Sequence, residues 1–309
     1  MRERRVPHDV SELREAMRRF VAIRRSRVPR EHDPLAILHR EGFSAYFFGG
    51  TIRDVVLHGP WVQPRDIDVV VSGAGEEELK QALSRWIVRT TRFGGFRLET
   101  AYEVLDVWPT SQTWAFREFP LIGSEAGDLP KTTPFTIEAA VVSTSPRGGY
   151  GREIFEQRFI ESVARREIDL NFDIQFCETL TFVRAIAMAM KTDFSLSSRL
   201  VDRLVSIARR VDIEELAAVA KSHYGRRSLP VSELSRIVAI VNEHHRRMRK
   251  ASLRLPRPTQ MQFQFCKPTY LTPVGGRLTP NFKPAPPLAP PTDTPRRTGH
   301  AVNRESQRV

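Results

Sequence analysis

Between Phe47 and Val71 the chain reads FFGGTIRDVVLHGPWVQPRDIDVVV, and this stretch limits the fold more than any other. An apolar run ending in two glycines, a helical pattern, and a second apolar run headed by Asp-Ile-Asp predict strand, tight turn, helix and strand. Side chains alternate along a strand, so Asp66 and Asp68 share one face while Ile67 and Val69 enter the core. Carboxylates held side by side repel, and the arrangement becomes favourable when a cation sits between them. Hard oxygen ligands suit Mg²⁺, which keeps several waters and takes other ligands from phosphates. Upstream, Gly49 and Gly50 let the backbone approach a polyphosphate while helix amides point at it. Arg53, in the first helical turn, is placed to reach the same anion, and Asp54 to orient that arginine. Taken singly, each piece has a plainer reading: the glycines as a packing turn, the Asp-x-Asp as a surface strand or the acid pair of a sugar transferase.

Together the pieces are more specific. GGTIRD followed by RDIDVVV resembles the head domain shared by class II CCA-adding enzymes and bacterial poly(A) polymerases, in the nucleotidyltransferase superfamily related to DNA polymerase beta. The resemblance sets Gly49, Gly50, Arg53 and Asp54 on the first family motif and Asp66 and Asp68 on the second. It implies a nucleoside triphosphate substrate, two Mg²⁺ ions held by the acids, and an RNA 3′ end as acceptor. It also implies a third carboxylate on a later strand. YEVLDVW offers two: Glu103 matches the position of a family glutamate, and Asp106 stands mid-strand among Leu105, Val107 and Trp108. Three residues apart, they face opposite ways on a regular strand. Asp106 is taken as the third catalytic and metal-binding acid, because an acid among large apolar residues is hard to explain as surface.

Further along, Phe135, Thr136, Ile137 and Ala139 match a family stretch, with Thr132, Thr133 and Pro134 in place of its Arg-Arg-Asp. In CETLTFVRAIAMAM, Arg184 falls on a family arginine and is carried over as a nucleotide-binding residue. Glu178 falls on the acid of the family's base-reading pair, and Thr181 replaces its arginine. Base choice by that device is therefore not expected here.

The net charge of +12 is concentrated at the ends. Residues 1–30 carry ten arginines against four acids and residues 251–309 nine basic residues against two acids, so the middle is balanced. Basic ends suit an RNA backbone. Two cysteines, Cys177 and Cys266, indicate neither a disulfide framework nor a zinc site, and no apolar run is long enough for a membrane span. The expected setting is cytoplasmic, with no membrane partner. The predicted fold class is α+β. Residues 1–30 form a basic amphipathic helix, 31–150 a mixed-sheet nucleotidyltransferase head, 151–252 an all-helical domain resembling neck and body, and 253–309 a proline-rich, basic, disordered tail. The function expected is transfer of a nucleoside monophosphate from a triphosphate to an acceptor hydroxyl. The alternatives are a non-catalytic RNA-binding protein that keeps the head fold, and nucleotidyl transfer to a protein or small molecule.

Overall fold

The computed structural model describes residues 6–91, 94–119, 123–145, 152–172, 177–225 and 228–256. Helix α1 (Val10–Arg27) begins where Asp9 accepts a hydrogen bond from the Glu12 amide, and it buries Leu13, Met17, Phe20 and Val21. Proline at the first position and Asp33 as N-cap start α2 (Pro34–Arg40). Strand β1 (Ser44–Phe48) leads through Gly49 into α3 (Gly50–His58), and β2 (Ile67–Ser72) into α4 (Glu76–Leu83). Three strands follow: β3 (Ile87–Thr90), β4 (Phe96–Glu99) and β5 (Val104–Pro109). Short α5 (Trp114–Glu118) precedes β6 (Ala140–Ser143) and β7 (Ile154–Glu156).

These strands form one sheet in the order β3-β4-β5-β2-β1-β6-β7. Among the described residues its one parallel pairing is β2 with β5; β1/β2, β1/β6, β3/β4, β4/β5 and β6/β7 are antiparallel. Alternation gives the sheet two different faces. One carries Ala45 and Phe47 of β1, Ile67, Val69 and Val71 of β2, Phe96 and Leu98 of β4, and Leu105 and Val107 of β5 into the main core under α1 to α4. The other carries a smaller cluster of Tyr46, Val70, Phe116, Leu129 and Val141, with Phe48 and Trp108 packed against it. Asp68 and Asp106 lie two residues from Val70 and Trp108, so they stand on this second face.

Helices dominate the rest: α6 (Phe159–Arg165), α7 (Glu178–Thr192), α8 (Ser198–Ala208), α9 (Ile213–Tyr224) and α10 (Val231–Arg247). Helix α7 packs on α8 and α9, and α10 on the same two. The α+β class is as expected, with three local differences. Strand pairing continues past residue 150, in β7 and in the parallel pair β8 (Glu167–Ile168) and β9 (Ser195–Leu196). These runs are too short for a period-two pattern to register in sequence. Edge strand β3, which follows once α4 has stopped at Leu83, has no counterpart in the sequence reading. Leu253 and Leu255, assigned by sequence to the tail, are buried in the main core, and Leu253 bridges Leu196. The remainder of that expected tail, 257–309, lies outside the described residues. No helix among the described residues is long and apolar enough to cross a membrane.

Candidate active site

The parallel register of β2 and β5 sets Asp68 directly opposite Asp106, and the antiparallel register of β4 and β5 sets Arg97 opposite Asp106 on the other side. In-register neighbours share a sheet face, so Asp68, Asp106 and Arg97 form a row. Asp66, just before β2, joins it: Arg97 Nη1 lies 3.8 Å from Asp66 Oδ2 and 3.0 Å from Asp106 Oδ2. Arg65, itself exposed, pairs with Asp66 at 2.8 Å.

Asp68 stands out in this row. Its backbone N–H donates to Thr51 Oγ1 at 2.9 Å, but its carboxylate has no hydrogen bond or ion pair with any described residue. Burial pushes that carboxyl well above the usual range, and the nearby charges of Asp66, Asp106 and Glu138 push it further, against Arg53. Burial also raises Asp106, opposed by Arg97 and reinforced by Asp66. An unpartnered carboxylate raised by its acidic neighbours is what a missing counter-charge produces.

Glu103 is placed differently. Arg24 donates from Nε to Glu103 Oε2 at 3.0 Å and from Nη2 to its other oxygen, and it also binds Asp33 at 3.1 and 2.7 Å. Burial works against the Arg24 charge, yet Glu103 and Asp33 outweigh it and hold the guanidinium more firmly protonated than usual. Glu103 thus ties the β4–β5 turn to α1 and faces away from Asp68. Only Asp106 of the two candidates joins Asp66 and Asp68.

Gly49 turns the chain from β1 into α3 with φ 55° and ψ −114°, a region that disfavours side chains. No side chain caps α3, so its first amides stay available to an anion. A Cβ at Gly50 would lie 3.4 Å from Arg53 Nη2 and 3.5 Å from Asp68 Oδ2, which puts the glycine turn against the acids. Arg53, expected to reach a polyphosphate, is buried and spends its hydrogen bonds on protein. Its Nε donates to Asp54 at 2.9 Å and its Nη1 to Glu138 at 2.6 Å. Asp54 does orient it, while also binding Lys191 at 3.1 Å. Arg184 donates to the other oxygen of Glu138 at 2.7 Å and is partly exposed. Arg53, Asp54, Glu138, Arg184 and Lys191 therefore form an ion-pair chain from α3 to α7. Glu178 is away from it, paired with Arg203 and Arg210 at the start of α7.

Sequence reasoning missed Arg97 and Glu138. Arg97 was legible in principle, because a residue between core positions Phe96 and Leu98 must face with the acid opposite. Glu138 stands inside the stretch from Phe135 to Ala139 but at none of its matched positions; it lies in a 3₁₀ turn, Thr136–Glu138, and reaches Arg53 of α3.

As for metal binding, no group of three or more His, Cys, Asp or Glu among the described residues is arranged to hold an ion. A Mg²⁺ ion needs less, commonly one or two carboxylates plus substrate phosphates and waters. Asp66 and the unpartnered Asp68 meet that requirement.

No family model and no curated protein matches the sequence. Solved structures do. A CCA-adding enzyme with CTP superposes with TM-score 0.52 at 18% identity, covering 77% of this chain and 55% of that one. A tRNA nucleotidyltransferase complexed with a primer tRNA and an incoming ATP analog gives 0.51 at 21%, covering 69% and 61%. The Thermotoga maritima CCA-adding enzyme complexed with tRNA gives 0.50 at 17%, covering 78% and 56%. The chain thus spans well under two thirds of the length of these structures, and what it shares with the CCA-adding and tRNA nucleotidyltransferase structures is their fold.

Proposed function

We propose that the protein is a nucleotidyltransferase with a head of the poly(A) polymerase and CCA-adding type. It transfers a nucleoside monophosphate from a triphosphate to an acceptor hydroxyl, an RNA 3′ end, and pyrophosphate leaves. The observation that carries this reading is the β2/β5 register, which sets Asp68, without a described partner, beside Asp106 and Asp66 and next to the glycine turn. Asp66 and Asp68 are the residues that would hold Mg²⁺, which when bound offsets triphosphate charge and polarises the phosphate under attack. The uncapped α3 amides after Gly49 and Gly50 receive phosphate oxygens. Arg53, held by Asp54 and Glu138, adds fixed positive charge beneath that turn, and Arg184 extends it toward α7 as a nucleotide contact. Asp106 faces the acceptor side. The basic ends of the chain favour RNA as the acceptor, in line with the tRNA named for two of the fold neighbours.

Incubation with each labelled nucleoside triphosphate, Mg²⁺ and total RNA tests this. Label on RNA, abolished by Asp66→Ala and Asp68→Ala, is expected. The competing reading, an RNA-binding protein without catalysis, draws on Arg65 and Arg97, which pair with Asp66 and Asp106. No incorporation on any acceptor, with RNA binding untouched by the same substitutions, would decide for it.

A further inference from the structure

Resting on the nucleotidyltransferase reading, we propose that this chain works with one divalent cation rather than two, Arg97 supplying at Asp106 the positive charge a second cation would bring. The position of Arg97 is built into the sheet. Phe96 and Leu98 are buried in the main core, so Arg97 between them is fixed to the acid-bearing face, and its register partner is Asp106. Its Nη1 lies 3.1 Å from Asp106 Oδ1 and 3.0 Å from Oδ2, bisecting the carboxylate, and reaches toward Asp66 at 3.8 Å. The guanidinium therefore stands between Asp106 and Asp66 and supplies positive charge to both.

Charge balance points the same way. Asp66, Asp68 and Asp106 carry three formal negative charges and Arg97 matches one; Arg53, whose charge also reaches Asp68, is itself paired with Asp54 and Glu138, so the two left over are what a single divalent ion matches. The Arg65–Asp66 pair does not alter this, because Arg65 is mostly exposed and a surface ion pair of that kind contributes little and yields readily. Arg97 is only 21% exposed and bonds both oxygens of its acid, so its displacement would strand a partly buried carboxylate. Asp68 is thus the acid left for a metal, with Asp66 beside it.

The experiment counts ions. Mn²⁺ is titrated into the full chain, alone and with an α,β-methylene analogue of each nucleoside triphosphate, and free Mn²⁺ is followed by electron paramagnetic resonance. One ion per chain is expected for the wild type, two for Arg97→Gln, and one for Arg97→Lys, which keeps the charge. Circular dichroism melts establish that each variant is folded, and the wild-type count stands whether or not Arg97→Gln folds. Two ions on the wild type, or one on a folded Arg97→Gln, would overturn the proposal while leaving nucleotidyl transfer intact. No Mn²⁺ on the wild type under any condition would remove the nucleotidyltransferase reading as well.

Discussion

Arg24 and Arg97 each lie between two carboxylates, one cluster behind α1 and the other on the open face of the sheet. The Arg24 side chain is 3% exposed and its partners Asp33 and Glu103 are 8% and 9% exposed. Arg97, Asp66 and Asp106 are 21%, 19% and 24% exposed. The first cluster is closed: the guanidinium fork is matched on two sides, and Asp33 also caps α2 through the Leu35 amide at 2.9 Å. The second is open, because Asp68 adds a carboxylate that makes no hydrogen bond or ion pair with a described residue. Acids on this protein are therefore not equivalent by type. An acid enclosed with its counter-ion holds the fold, whereas one left over beside other acids is poised for a ligand.

The sharpest break of this comparison exchanges the two acids of YEVLDVW. Asp106→Asn should lower nucleotidyl incorporation by about 10³-fold, a loss of several kcal/mol of transition-state stabilisation, with little change in melting temperature. Glu103→Gln should do the reverse, lowering the melting temperature while folded protein keeps its turnover. Rate and melting measurements on both variants decide it, and an inactive but stable Glu103→Gln would reverse the assignment. Next in size, Arg24→Ala leaves two buried carboxylates without their cation and should cost about 3–5 kcal/mol in urea unfolding. A cost below about 1 kcal/mol would mean that this cluster is not closed in solution.

How much of this could be read beforehand depended on the range of the forces involved. The glycine turn, Asp66 and Asp68 follow from alternation and local spacing, so Phe47 to Val71 folds as its pattern predicts. That Asp106 rather than Glu103 shares a face with Asp68 also followed, because Leu105 and Val107 fix which face the acid takes. Arg53 was read as a phosphate ligand from its place in the first helical turn after the glycines; its partner Glu138 is 85 residues away, and no local pattern reports such a contact. Arg24 suffers in the same way. It looked like one more basic residue on the outer side of a helix, yet Glu103, 79 residues later, draws it inside. Long-range ion pairs decide the site's electrostatics and leave no periodicity in the chain.

A buried acid held by exposed arginines sharpens the contrast through pH. The Asp169 carboxylate accepts from Ser197 Oγ at 2.5 Å, pairs with Arg158 at 2.8 Å and with Arg199 at 3.1 Å. Burial works against its charge, but these bonds outweigh it and hold the carboxyl below its usual value. Its stabilising contribution is thus fully present above the unfolded value of about 3.9 and is lost as pH falls through the lower folded value. Asp169→Asn should cost about 1.5–3 kcal/mol at pH 7, and the gap to wild type should close below about pH 4. Unfolding curves from pH 7 to pH 2 check this; a gap that stays constant throughout would show that packing, not charge, holds the cluster.

The smallest expected effect has the opposite sign. If the open cluster is kept for a ligand, it costs the unliganded fold stability, because Asp68, half-buried on its strand, stands next to Asp66 and Asp106 without an ion-pair partner among the described residues. Asp68→Asn removes one of the repelling charges with almost no change in volume, so it should stabilise the cation-free protein by about 0.5–2 kcal/mol, the usual scale for relieving a functional site. For a chain of this size that is a rise of about 2–4 °C in melting temperature per kcal/mol. In a melt with chelator the variant should exceed wild type; with Mg²⁺ added, wild type should gain and the variant should not, since binding stabilises only the form that binds. Each arm isolates one part of the claim. A variant that melts lower with chelator denies that the acids repel in the folded state, and equal gains with Mg²⁺ deny that Asp68 is where the ion goes.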